Sequence, residues 1–321
     1  MRIRLALITV VALLFPAQAT QAEEVVPRIA VAYDIGFLGD GGFNDAVHQA
    51  LKLAKKRYNL VEPYVREMPT SGTAVDRLTK LRFLAKSGYT LIITVGTGYR
   101  ETVRRVSMEY PEVQFAPIND KTLAQLNISN IYFNEIEIAR IAGMTAALKS
   151  KSKVIALIGG DSDTKKAFQE AVKQTSKKAK VLEIDFTGDL EKLASELGKS
   201  DIVYSLWDKD SSVIEVVLNR KPTTLYIGRN PDQYFARIGS SPKVIAVVEK
   251  LLTKPVDALV NLGMQDRALI DVIDEDLGIF GRSYGLKNGG IRLVIGSRFT
   301  ALETGALRRS FPGLRIVTNQ G

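Results

Sequence analysis

Short β-branched runs alternate with longer amphipathic stretches along almost the whole chain, and few folds accept that rhythm. Ile29 to Asp34 reads as a strand and Phe43 to Tyr58 as a helix, followed by strand Val61 to Arg66, helix Ala74 to Ser87, strand Thr90 to Val95, helix Tyr99 to Tyr110 and strand Val113 to Ile118. A series of this kind builds a parallel sheet with helices on both faces. Ile131 to Phe133 leads into helix Glu135 to Lys149, whose alanines and glycine suit close packing, and a second series opens at Val154 to Ile158. It continues through helix Thr164 to Ser176, strand Val181 to Phe186, helix Leu190 to Leu197, strand Ile202 to Leu206, helix Ser211 to Asn219 and strand Thr224 to Ile227. Beyond the loop from Gly228 to Ser241, Val244 to Leu262 reads as one long helix, and the tail carries short strands around Phe280 and from Ile291 to Ile295.

The first 22 residues follow a different logic: a basic start at Arg2 and Arg4, an apolar stretch from Leu5 to Ala17, and small residues at Ala17, Ala19 and Ala22. That pattern is a secretory signal with cleavage after Ala19 or Ala22, too short to span a bilayer. The remaining 300 or so residues exceed what one core usually holds and predict two α/β lobes of about 150 residues each. We expect 23–133 with about 242–277 in an N-terminal lobe, and 134–241 with about 278–321 in a C-terminal lobe. No low-complexity linker separates the halves, which argues for several chain crossings between them.

Composition removes whole classes of chemistry. There is no cysteine, so disulfides, zinc thiolate sites, cysteine nucleophiles and a lipidated cysteine are excluded. The single histidine, His48, falls inside a helix, which leaves triads and histidine-based metal sites without material. Ser162, in GGDSD, lacks the last glycine of a nucleophile elbow. Asp161 and Asp163 are able to do acid and base work, yet a D-x-D at a helix start is commonly a cap. The formal charge is +9. Nine lysines stand between Lys149 and Lys180 against Asp161, Asp163 and Glu170. A nucleic-acid surface would interleave arginines and aromatics, and only Phe168 is there; a solvated helix face or contact with an anionic membrane or wall fits the run.

In open parallel sheets ligands gather at the carboxyl ends of strands. The loops expected there are rich in Asp, Asn, Gly and aromatics, the means of holding a flat, hydroxylated solute. The segment DIGFLGDGGFND, Asp34 to Asp45, is the most specific. It is either a glycine turn with Asn44 and Asp45 serving the helix start or a ligand loop. It is no dinucleotide fingerprint, because Asn44 stands where the third glycine belongs. Asp34, Asp40 and Asp45 lack the spacing of calcium loops. The sole tryptophan, Trp207, follows strand DIVYSL and precedes Asp208 and Asp210; it is a lid over the lobe core or a stacking platform, and the platform is the reading carried forward.

With these residues laid out, the chain resembles the basic membrane protein family of ABC-transporter substrate-binding proteins, which includes purine nucleoside receptors. The resemblance rests on Asp34, Gly36, Asp40, Phe43 and Asn44, on Gly96, on Ile118, Asn119 and Asp120, on Phe133 to Ala147, on DIVY at 201–204, on Gly228 to Gln233, on Ser241 and Lys243, and on Tyr284, Gly285, Leu286, Gly289 and Gly290. It implies a type I periplasmic-binding fold that closes on a base stacked between aromatic rings, with ribose hydroxyls on carboxylates. Asp34, Phe43, Asn44, Asp120 and Lys243 match positions that face the ligand. Trp207, and Phe37 or Phe43 from the glycine loop, are the expected stacking partners. Gly228, Arg229, Asn230 departs from the family's Gly-Val-Asp, and Asn230 still accepts through its oxygen. Leu206 to Lys209 departs from its glycine-rich loop. The expectation is an exported, monomeric, non-catalytic protein at the periplasm or outer face of the cell membrane. It would bind a nucleoside-like solute and deliver it to an ABC permease, with no cofactor, metal or nucleic acid. The rivals are a ligand sensor of the same fold and a carboxylate-based nucleoside or sugar hydrolase. The hinge is expected near Phe133 to Glu135 and Gly239 to Ser241.

Overall fold

The computed structural model describes residues 26–39, 41–207, 223–233 and 236–319. The signal segment, Asp40, Asp208, Asp210 and the helix expected over 211–219 lie outside them. Among the described residues, two sheets of seven strands each form the two lobes. The first runs in the order β11-β12-β5-β4-β3-β1-β2, from β1 (Ile29–Tyr33), β2 (Val65–Pro69), β3 (Leu91–Val95), β4 (Gln114–Ile118), β5 (Asn130–Phe133), β11 (Asp271–Asp274) and β12 (Ile279–Tyr284). The second runs β14-β13-β10-β9-β8-β6-β7, from β6 (Val154–Ile158), β7 (Lys180–Ile184), β8 (Ile202–Ser205), β9 (Leu225–Asn230), β10 (Val244–Lys250), β13 (Ile291–Ile295) and β14 (Arg315–Thr318). Neighbours are parallel except β11 with β12 and β10 with β13, as the alternating pattern requires.

Helices cover the faces: α1 (Phe43–Tyr58), α2 (Ala74–Lys86), α3 (Arg100–Glu109), α4 (Glu135–Lys149), α5 (Ser162–Thr175), α6 (Leu190–Glu196), α7 (Thr253–Gly263) and α8 (Ala301–Ser310). Central strands β1 and β3 are buried at all five positions, which is why they read as continuous apolar runs rather than alternating ones. The alanines and Gly143 of α4 let α5 approach closely: a methyl added at Gly143 would stand 2.5 Å from the Phe168 carbonyl oxygen.

The expected helix over 244–262 is two elements. Val244 to Lys250 is the buried strand β10, between β9 and β13, and only Thr253–Gly263 is helical. This shifts the expected lobe boundaries, because β10 belongs to the second sheet and β12 to the first. The chain therefore crosses between the sheets three times: between β5 and α4, between β10 and α7, and between β12 and β13. Gly239 to Ser241, expected as a hinge, is a turn ahead of β10, closed by a bridge between Ile238 and Ser241. The real crossings are laced together: Asn134 donates its amide to the Tyr284 carbonyl at 2.9 Å, and Leu251 donates to that of Gly290 at 2.8 Å.

Candidate functional site

The crossings gather the carboxyl ends of the parallel strands of both sheets. In the first lobe, Asp34 follows β1 and its carboxylate accepts from Arg77 of α2, at 2.8 Å from Nε and 2.6 Å from Nη2. Gly96, after β3, has φ 106°, and a methyl there would sit 2.5 Å from the Asp34 Cβ; glycine is what lets the two loops touch. Asn44, only 5% exposed, donates through Nδ2 to the carbonyls of Asp34 and Ile35 at 3.2 and 3.3 Å. Asp45 accepts from the amides of Gly39 and Gly41. Both residues thus hold the glycine loop in shape. Asp120 is buried and accepts from Arg100 Nε at 2.7 Å and from the Thr122 hydroxyl at 2.6 Å.

The second lobe contributes a buried charge network that sequence reasoning missed. Lys250 ends β10 with its ammonium 2.6 Å from Glu135, the first residue of α4, and 2.6 Å from Asp232. Arg229 stands 3.8 Å from the same two carboxylates and donates through Nε to the Ser205 carbonyl at 3.1 Å. Burial pushes the Asp232 carboxyl up, but Lys250 and Arg229 outweigh it and hold the group below the usual carboxylate range. Burial likewise draws the Lys250 ammonium down, and Asp232 with Glu135 more than reverses that. Both groups are therefore charged at neutral pH. The ammonium also lies 5.5 Å from the Phe43 ring and 5.9 Å from the Phe133 ring, and 3.4 Å from the Asn119 side-chain oxygen. It touches the first lobe from the second.

Other expected residues are distributed unevenly. Asn230, at the end of β9, joins Gly39, Gly41, Asp45 and Arg237 around a pocket of about 520 Å³ between the lobes, and Arg237 donates across it to the Gly41 carbonyl at 2.6 Å. Phe37, in a left-handed conformation at φ 47°, packs edge-on to Tyr33 at 5.6 Å. Trp207 stands at the end of β8 and packs edge-on to Phe186 at 5.1 Å, against the apolar cluster on the face carrying Ile158 and Leu193. Lys243 is misplaced by the sequence reading. Its carbonyl accepts from Tyr226 at the start of β9, so it marks the amino edge of the sheet, seven residues or about 23 Å from Lys250 along the strand. Lys250, at the opposite end of that strand, is the one of the two on the cleft side. Asp161 accepts from the amides of Asp163 and Thr164 and caps α5. Among the described residues, no group of three His, Cys, Asp or Glu side chains is placed to hold a metal.

Two α/β lobes whose strand ends face each other across three crossings define the periplasmic-binding class of fold. An ABC transporter solute-binding protein from Conexibacter woesei shares it at 17% identity and a TM-score of 0.63, over 90% of this chain and 98% of that one. A transcriptional activator of the comK gene from Bacillus halodurans does so at 16% and 0.66, over 88% and 96%. The chain belongs to the Bmp family, the PnrA-like ABC transporter substrate-binding proteins, whose family model matches residues 27–254. It is similar to basic membrane protein A1 of Borrelia garinii, 27% identical over 43% of this chain and 40% of that protein. It is also similar to the ABC transporter nucleoside-binding protein BmpA of Lactococcus lactis, 25% identical over 48% and 44%. The matched regions span less than half the length of these curated relatives. No helix among the described residues is long and apolar enough to cross a membrane.

Proposed function

We propose that the protein is the exported receptor of an ABC importer, binding a nucleoside-like solute without net charge between its lobes and delivering it to a membrane permease. The observation that carries this reading is the charge balance where the strand ends converge. Among the described residues, Asp34 faces Arg77, Asp120 faces Arg100, and the cations Lys250 and Arg229 face the carboxylates of Asp232 and Glu135. A charged solute would leave one charge buried without a counterpart, a cost of several kcal/mol. A neutral one that offers hydroxyls and a flat ring finds carboxylates to accept, amides such as Asn119 and Asn230, and the Phe43 and Phe133 rings beside them. Asp34, Phe37, Phe43, Asn44, Asp120, Trp207 and Asn230 remain the proposed surroundings of the ligand, with Lys250 in place of Lys243.

Calorimetric titration with nucleosides, nucleobases, sugars and amino acids tests the proposal. Binding of a nucleoside is expected, and Asp120→Ala and Phe43→Ala should each weaken it by about 1 to 3 kcal/mol. Tighter binding of an amino acid or another charged solute overturns the ligand class, and unchanged affinity in both variants overturns the site.

A further inference from the structure

The lysines between Lys149 and Lys180 do not form an evenly charged surface. Asp161 and Asp163 stand at the amino end of α5, on the cleft side, where Asp161 is spent on capping. Lys173 lies in the last turn of α5, and Lys177 and Lys178 in the connection that follows it. Fourteen residues separate the helix ends, about 21 Å of rise. At the far end, the amide of Lys180 bonds the Lys153 carbonyl at 2.8 Å, which brings the turn ahead of β7 against the turn ahead of β6. Lys151, Lys153, Lys177, Lys178 and Lys180 therefore converge on one edge of the second lobe, and all but Lys153 are exposed. The carboxylate at that edge, Asp201, is turned inward and holds the Ser150 hydroxyl and the amides of Lys151 and Ser152. None of Lys151, Lys177, Lys178 and Lys180 forms an ion pair with a described residue, whereas Lys165, nearer the cleft, is matched by Asp185 and Glu183. The carboxyl ends of α4 and α5 point the same way, so their dipoles favour the cations there.

We infer that this lysine edge, at the amino ends of β6 and β7 and away from the cleft, docks the protein on an anionic lipid bilayer. Flexible, strongly hydrated ammonium groups with no geometric fork suit a fluid array of phosphate headgroups better than one fixed phosphate. Nucleic acid is the poorer match: the one aromatic side chain in the run, Phe168, is fully buried and stacked on Tyr204 at 5.1 Å, so no ring is offered to a base. The docking uses no cleft residue and leaves solute binding unchanged.

Co-sedimentation of the purified protein with vesicles tests it, using equimolar phosphatidylglycerol and phosphatidylcholine against phosphatidylcholine alone. Binding to the anionic vesicles only, abolished by salt, is expected. The combined variant K151Q, K177Q, K178Q and K180Q should lower the partition coefficient by about 600-fold, at roughly fivefold for each of the four lysines. A control with the same charge change at exposed sites elsewhere, K52Q, K56Q, K86Q and K287Q, should retain most of the binding. Equal losses in the two variants, binding to neutral vesicles alike, or tighter binding to a DNA oligonucleotide at the same salt overturns the assignment. Calorimetry with the solute on the same variants reads the cleft separately, so a failure of the lipid surface and a failure of the receptor proposal are told apart.

Discussion

Replacing Lys250 by methionine removes the ammonium while keeping most of the stem's volume, so it probes charge rather than packing. Each contact of 2.6 Å, to Glu135 and to Asp232, is worth about 6 kcal/mol at an effective dielectric constant of about 20. The variant does not lose that sum, because the wild type gives up the hydration of the ammonium and tolerates the nearby Arg229 guanidinium. It is left with the buried Asp232 carboxylate and the partly buried Glu135 carboxylate facing Arg229 as the remaining cation among the described residues. One of them has an escape: taking up a proton at pH 7 costs about 1.4 kcal/mol for each unit above an ordinary carboxyl value near 4, or about 4 kcal/mol. We therefore expect Lys250→Met to lose about 3 to 4 kcal/mol at pH 7, in line with breaking one side of a buried ion pair. The sign of its pH dependence follows. In the variant a carboxyl's folded-state value is raised above its unfolded one, so its contribution to stability is present in acid and is lost as pH rises. Urea unfolding of both proteins at pH 7 and pH 5 should show the deficit shrinking by about 2 to 3 kcal/mol at the lower pH. Lys250→Met combined with Asp232→Asn should recover part of the loss, because one stranded carboxylate is gone. A deficit below about 1 kcal/mol at pH 7, or one that is equal at the two pH values, would refute the reading of these four residues as a mutually dependent charged group.

The wild type should lose stability in acid from the same group: Asp232 is held below the usual carboxylate range, so its contribution is complete above pH ~3.9 and disappears as pH falls through its depressed folded-state value; an Asp232→Asn variant should lack that component of acid unfolding. Gly281→Ala should cost about 3 kcal/mol in thermal unfolding, since its backbone has φ 144° and a methyl would stand 1.9 Å from the Asn130 carbonyl oxygen, whereas Gly278→Ala, with nothing within 4 Å, should cost only the left-handed backbone, about 1 to 2 kcal/mol. Asn44→Ala should weaken stability by about 1 to 2 kcal/mol, for two lost bonds to the glycine loop. Trp207 is the only tryptophan, so its fluorescence separates platform from lid: emission that does not change on saturation with a solute that calorimetry shows to bind would leave Trp207 as part of the lobe core alone.

The parallel-sheet architecture was legible because fully buried strands announce themselves as β-branched runs and the helices between them as amphipathic stretches. The error at 244–262 shows where that signal fails. Val244 to Val248 is apolar at every position, which a buried strand and the start of a buried helix share. One local clue did point to the break: Pro255 has no amide to donate and fits only the first turn of a helix, so a helix beginning at Val244 had a poor residue eleven positions in. The same stretch hid the position of Lys243, which the resemblance had named as facing the ligand. A lysine opening a helix and a lysine closing a strand look alike until register shows which edge each one occupies. The network around Lys250 could not be read at all, because Glu135, Arg229, Asp232 and Lys250 belong to three segments with no common spacing. Asp34 and Asp120 were legible as residues following strands, but their partners Arg77 and Arg100 come from helix faces that the sequence presents as ordinary solvent-facing charge.

The three crossings explain why the charged group sits where it does. Lys250 ends the strand that enters one crossing, and Glu135 opens the helix that leaves another, so their ion pair ties two crossing segments to each other. The third is tied to both by backbone bonds, Asn134 to Tyr284 and Leu251 to Gly290, and by the Glu137 carboxylate accepting from the amide of Leu286 at 2.7 Å. Any rotation of one lobe against the other has to be absorbed in the few residues between those ties, around Asn134, Leu251 and Gly285 to Gly290. The ionic group itself stays with the second lobe through such a rotation, because Arg229, Asp232, Glu135 and Lys250 are all anchored there. What changes is its relation to Phe43, Phe133 and Asn119 on the first lobe. In the proposed receptor, the ammonium's position against those rings is thus set by lobe closure, and a solute bridging the lobes acts on the same contacts.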